Sequence, residues 1–322
     1  RKEGLFIERH QDSVQHPRRR HRGFSLRFRN LSKTMTRPNP SLTEQNNMHI
    51  RVGYDLVFDV PTPTTFLLLL RVHPSEESRL VRPELPTIEP AVPAIEHIDA
   101  FGNRAVRVLA PAGKLRLMND SIVVDSGETD LISPDSEQHP VDELPPEVIP
   151  FLLPSRYCEV DQLGEIAWEL FGQAPLGWGR VQAVCDWVHN HVEFGYSYAR
   201  STKTAFDVYK EAKGVCRDFT HLAITFCRCL NIPARYATGY LGDIGVPAVP
   251  DPMDFSAWFE VYLGGNWHTF DARHNIPRIG RIVMARGRDA VDVALTTSFG
   301  PSKLEKFVVW TDEVREPASA PT

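Results

Sequence analysis

A thiol nucleophile needs a cysteine, a base to take its proton and an acid to orient that base. This chain carries the first and last of these in recognisable settings. The stretch "GVCRDFTHLAITFCRCLN" (residues 214–231) sets Cys216 where a glycine-led turn becomes an amphipathic helix. Phe219, Ala223, Phe226 and Leu230 continue one stripe from it, so the helix is expected to pack into a core with its N-terminus pointing out. A thiol there meets the positive end of the helix dipole and several free backbone N–H groups. These lower a thiol pKa and supply an oxyanion donor, the amide of Cys216 itself. Asp218, in the first turn, suits the same dipole. Downstream, "DFSAWFEVYLGGNWHTFDARHN" holds a two-residue hairpin signal at Gly264-Gly265. That turn sets Leu263 against Asn266, Tyr262 against Trp267 and Trp258 against Asp271. Positions 256, 258 and 260 then share a face with Thr269 and Asp271, while Ala257, Phe259, Val261, Phe270 and Ala272 turn to the core. An imidazole at 256 would bridge Asp271 to the thiol. Position 256 is serine.

The other histidines are expected elsewhere. His268 and His274 have the wrong strand parity relative to Asp271 and should point off the catalytic face. His221 lies well around the helix from Cys216, and a structural hydrogen-bonding role is expected of it. His189 and His191 stand two residues apart, on different helix faces, as do Cys227 and Cys229, so no metal site is expected. Cys158, Cys185, Cys227 and Cys229 sit among apolar residues and read as small buried hydrophobes. With five cysteines and no CxxC pair, the chain has no disulfide framework.

These groups need a scaffold, and 322 residues that are 42% hydrophobic and 24% charged suffice for one large or two modest domains. Residues 1–47 are arginine-dense and aperiodic; they read as an upstream extension, disordered and dispensable to stability. From Met48, Ile50, Val52, Tyr54, Leu56, Phe58 and Val60 alternate on one strand face, and short strands with turn residues between them follow to about residue 128. This predicts a small N-terminal β-sandwich over 48–128. The acidic, proline-rich segment 129–155 reads as a linker that wraps rather than folds alone. Residues 156–312 show helices first and antiparallel strands after, an α+β core, and 313–322 form a frayed tail. A net charge of −5 and a pI near 6.2 give no polyanion-binding signature, so no nucleic-acid partner is expected. No apolar run approaches the ~18 residues of a membrane span. The expected setting is cytoplasmic, soluble and reducing, with no membrane contact.

The motifs "GVCRDFTHLAITFCRCLNIPARYATGYL" and "AWFEVYL…W…FDAR" resemble the core of the transglutaminase-like superfamily. More narrowly, they resemble the bacterial transglutaminase-like cysteine protease group, in which a β-rich domain precedes the core. The resemblance spans residues 48 to 312 and implies a papain-like Cys–His–Asp triad on an α+β fold. The family's nucleophile maps to Cys216 and its orienting acid to Asp271. Its general base maps to Ser256, where the family pattern has the histidine of His-Ala-Trp. Trp258, in the same pattern, is the candidate substrate-binding residue. The implied activity is acyl transfer or hydrolysis of a carboxamide or peptide bond through a cysteine thioester. Peptide or protein amides would be its substrates, with neither cofactor nor metal. Loss of the histidine implies impairment by the ~10²–10⁴ that a positioned acid–base group contributes. The alternative is a catalytically inactive pseudoenzyme that binds a peptide or protein in the old cleft.

Overall fold

The computed structural model describes residues 48–249 and 252–314. The expectations for residues 1–47 and for the chain beyond 314 lie outside the described residues. The first half is β-rich: β1 (Met48–Val60), β2 (Thr64–Leu68), β3 (Thr87–Glu89), β4 (Ala94–Ile98), β5 (Arg104–Ala110) and β6 (Gly113–Asp125). Then come α1 (Val160–Phe171), α2 (Trp178–His191), β7 (Glu193–Phe194), α3 (Ala205–Glu211), β8 (Lys213–Gly214) and α4 (Cys216–Cys229). The chain finishes with β9 (Ala234–Tyr240), β10 (Ser256–Leu263), β11 (Asn266–Phe270), β12 (Ile282–Gly287), β13 (Thr296–Ser298) and β14 (Lys303–Val314). No helix among the described residues is long and apolar enough to cross a membrane.

The alternating residues Ile50 to Val60 of β1 are all buried, as a period-2 strand with one core face requires. The β-rich half forms two four-stranded sheets, ordered β14-β1-β6-β3 and β13-β2-β5-β4. Their composition corrects the expected boundaries. β14 pairs with β1 from His49↔Val314 to Asp59↔Lys303, and β13 pairs with β2. Residues 296–298 and 303–312, read from sequence as the end of the core, therefore complete the sheets of the first half. Alternation reveals which face of a strand is buried but not which sheet it joins. Gly53 marks the seam: a Cβ there would come within 2.3 Å of the Trp310 ring and 2.2 Å of the Asn119 carbonyl. Only a residue without a side chain lets β14 lay that indole across β1.

The second half surrounds α4. All of its residues are buried, with α1, α2 and α3 on one side and the sheet ordered β11-β10-β9-β12 on the other. A helix so enclosed must satisfy its own polar groups. Arg228 donates to the carbonyls of Ala234 (2.8 Å), Leu153 (3.1 Å) and Arg288, and to the Ser155 hydroxyl (3.2 Å). It thereby ties the end of the 129–155 segment to the core. That segment wraps, with Gln138 donating to the Leu230 carbonyl and Glu137 accepting from the amide of Gly264. His221 is fully buried, accepts from the amide of Ala290 at 3.1 Å and stacks on Tyr157, the structural role expected of it. Burial, with Arg217 and Arg228 nearby, lowers its pKa and keeps it neutral.

Replacing Arg228 with methionine keeps the volume but leaves three buried carbonyls and a hydroxyl without a donor. The expected loss is about 3–5 kcal/mol, within the cost of orphaning several buried acceptors. Urea denaturation of parent and variant measures it; a change under about 1 kcal/mol would show that water fills the site instead.

Candidate active site

Cys216 is the first residue of α4, immediately after the short parallel pair β7–β8. Gly214 is required there by a close approach. A Cβ on it would lie 2.6 Å from that of Asp218, whose carboxylate turns back to accept from the amide of Val215 at 3.0 Å. The first turn of α4 is locked in this way, and Cys216 is aimed at a cavity of about 230 Å³. Ser256, at the start of β10, borders the same cavity, as do Arg273, His274, Arg278, Asp243 and Asp254. Cys216 and Ser256 thus line one cavity.

The electrostatics differ from expectation. Cys216 is only 3% exposed, and burial pushes its thiol up to about 12. The Arg273 cation and the amide of Arg217 pull the other way, but Asp254 and Asp218 add to the rise. The activation expected from the helix terminus is outweighed, because a thiolate removed from water loses more than a few amides return.

The hairpin has the expected register, from Leu263↔Asn266 to Phe259↔Phe270. Ala257, Phe259, Val261, Phe270 and Ala272 join the main core, whereas Trp258 packs with Ala237 and Val283 on the opposite face. Trp258 is 1% exposed and does not border the cavity; the Arg281 guanidinium lies 5.0 Å over its ring. As the candidate substrate-binding residue it is placed too deep to touch a ligand in that cavity, since Arg281 covers it.

Asp271 follows directly on the end of β11. Its Oδ1 accepts from the amides of Arg273 and His274, both at 3.0 Å. Its Oδ2 accepts from His274 Nδ1 at 2.8 Å and from Arg281 Nη2 at 3.0 Å. Burial works to raise its pKa, but the Arg281 charge and the His274 hydrogen bonds prevail, so the carboxyl sits well below its ordinary 3.8. It is an obligate anion.

This arrangement overturns the expectation for His274. The parity argument assumed that the strand continues past Asp271. The chain instead turns there, because the aspartate accepts from the amides two and three residues on, the turn that Asp side chains favour. His274 is carried back over the carboxylate and onto the cavity wall. The signal was present in "FDARHN", where an aspartate at a strand end precedes a histidine by three residues. His268 does keep its parity: it hydrogen-bonds to the Ser136 hydroxyl and the Leu263 carbonyl, away from the cavity. His189 donates to the Arg273 carbonyl at 2.8 Å and His191 to that of Tyr209, so both serve as struts. Among the described residues no group of three or more His, Cys, Asp or Glu side chains is placed to hold a metal ion.

The pattern of the transglutaminase-like superfamily matches residues 168–272. A crystal structure of a presumed cysteine protease from Cytophaga hutchinsonii superposes with a TM-score of 0.73 at 33% identity, covering 85% of this chain and 93% of that one. The uncharacterised protein ML0607 of Mycobacterium leprae is 24% identical over 215 residues, 64% of this chain and 75% of its own. Human kyphoscoliosis peptidase is 28% identical over 119 residues, which are 34% of this chain but 18% of that much longer protein.

The depressed Asp271 couples stability to pH with a definite sign. A carboxyl held below its unfolded value contributes stability that is present above the ordinary 3.8 and is drawn down as pH falls toward the folded value. Asp271→Asn should therefore cost about 1–3 kcal/mol at neutral pH, because Arg281 keeps Asp130 but loses the second of its two carboxylates. It should also flatten the fall in stability below about pH 4. Thermal melts of both proteins across the acid range test this; parallel curves would contradict it.

Proposed function

The chain belongs to the transglutaminase-like superfamily, and from that premise we propose that it is a cysteine acyl transferase or peptidase acting on carboxamide or peptide bonds through a thioester on Cys216. The observation that carries this reading is the placement of Cys216 at the first turn of α4, facing a cavity large enough for a peptide side chain or an extended backbone segment. The amides of Cys216 and Arg217, the first two of the helix, have no partner within it and are available to a developing oxyanion, whereas that of Asp218 is bonded to the Val215 carbonyl at 2.8 Å. In the reaction the sulfur bonds to the carbonyl carbon and the C–N bond breaks. The thiol proton, held meanwhile by a base, passes to the departing nitrogen. Water or an amine then attacks the thioester, gives its proton to the same base and frees the sulfur, which recovers it.

The base is the critical element. With burial holding the thiol well above its ordinary range, little thiolate is present at neutral pH unless a base takes the proton. The hydroxyl of Ser256 does not titrate in a useful range, so a chain that relies on position 256 for its base is impaired. The same raised thiol favours a second reading, a pseudoenzyme that holds a peptide in the cavity without cleaving it.

A panel of peptide and glutamine-carboxamide substrates, followed by product release and by mass detection of an acyl adduct on Cys216, separates the two. The enzyme reading expects turnover that Cys216→Ala abolishes. Binding of a peptide with no adduct and no product in the parent would leave the pseudoenzyme.

A further inference from the structure

We infer that His274 is the base of this site, held by Asp271 through Nδ1 and presenting Nε2 to the Cys216 cavity. The inference rests on the reading of Cys216 as nucleophile and supplies the group that position 256 lacks.

Three features support it. First, Asp271 is ionised and can only accept, so the 2.8 Å contact fixes the proton of neutral His274 on Nδ1 and leaves the lone pair on Nε2. No described residue donates to that nitrogen; the side chain is 23% exposed and lines the cavity. Second, the turn that carries it is braced by α2. His189 donates to the Arg273 carbonyl, and the Asn275 side chain donates to Asp186 and accepts from Gln182. Third, Asp271 has no capacity for another base. Its four lone-pair positions are taken by two amides, His274 and Arg281. An imidazole introduced at 256 would find its orienting acid occupied.

Proton transfer from the thiol to Nε2 creates a neutral pair overall, so burial opposes it far less than it opposes an isolated thiolate. Asp271 stabilises the imidazolium so formed and holds the ring in place. The other charges facing this pair are Arg273, Arg278 and Arg281, and the carboxylates of Asp243 and Asp254. Catalysis then runs as balanced above, with Nε2 carrying the proton from thiol to leaving nitrogen.

The test needs no substrate for its first arm. Alkylation of Cys216 in the full chain by iodoacetamide, located by peptide mapping, is followed from acid to mildly alkaline pH in the parent and in His274→Gln. Glutamine keeps a donor for Asp271 but does not titrate; His274→Asn serves if its melting temperature is better preserved. The expected result is at least a tenfold slower alkylation near neutral pH in the variant, with a pH profile that no longer follows the parent's. Equal rates and superimposable pH profiles would overturn the assignment. The second arm uses turnover: Ser256→His added to His274→Ala, which removes the donor at that position, should recover at least tenfold over His274→Ala alone, because the vacated position on Asp271 becomes available. If Ser256→His instead raises the parent a hundredfold while alkylation ignores His274, position 256 is the base and His274 is not. If alkylation depends on His274 but no variant forms product, the proton acceptor stands and acyl transfer falls.

Discussion

A buried anion governs this half of the molecule. Asp271 is 7% exposed, and a charge taken from water at that depth must be matched by donors and an opposite charge. Arg281 provides the charge, and its Nε simultaneously binds Asp130 at the start of the wrapping segment. Trp258 lies sealed beneath the same guanidinium. The two amides that complete the shell can reach the carboxylate only if the chain folds tightly after it, so compensating the charge also shapes the turn. Arg273 and His274 reach the cavity wall as a consequence. One electrostatic requirement thus links the linker, the hairpin and the candidate site.

Cys216 is set by a different constraint. α4 is buried along its whole length, which makes its orientation rigid but brings Arg217, Asp218, His221 and Arg228 into the interior with it. Each has found a partner: Asp218 bonds Arg217 and the Val215 amide, and Arg228 gathers carbonyls from three separate segments. The same enclosure works against Cys216, whose thiol is lifted far from its reactive range. Rigidity and reactivity are opposed at this helix start. A proton acceptor within the cavity resolves the opposition better than the dipole, because a shared proton leaves no net charge to bury.

Much of this was legible in the sequence. The glycine-led helix start, the Gly264-Gly265 turn and the alternation of β10 and β11 were sufficient to place Cys216 at a helix start, to set the register and to separate the two faces of the hairpin, though not to show that Trp258 lies outside the cavity. Three things were not. The pairing of β1 with β14 joins residues about 250 positions apart, and periodicity carries no information on strand partners. The thiol's pKa depends on how completely other segments close over it, which a helix terminus alone does not reveal. His274 was misplaced because parity was carried four residues beyond Phe270, where β11 ends, past the aspartate whose own side chain turns the chain.

That last error bears on how a triad should be recognised. What a thiol needs is an imidazole whose far nitrogen is fixed by an acid, and an acid can be approached from more than one side. In the family pattern the imidazole arrives from β10, across the sheet face. Here the turn after β11 brings one to the same carboxylate from the other flank, three residues along the chain. Serine at 256 then leaves cavity space rather than an unfilled acid. An inference of inactivity drawn from that position alone treats the base as a place in the sequence. The geometry of Asp271 makes it a place around a carboxylate, and His274 occupies it.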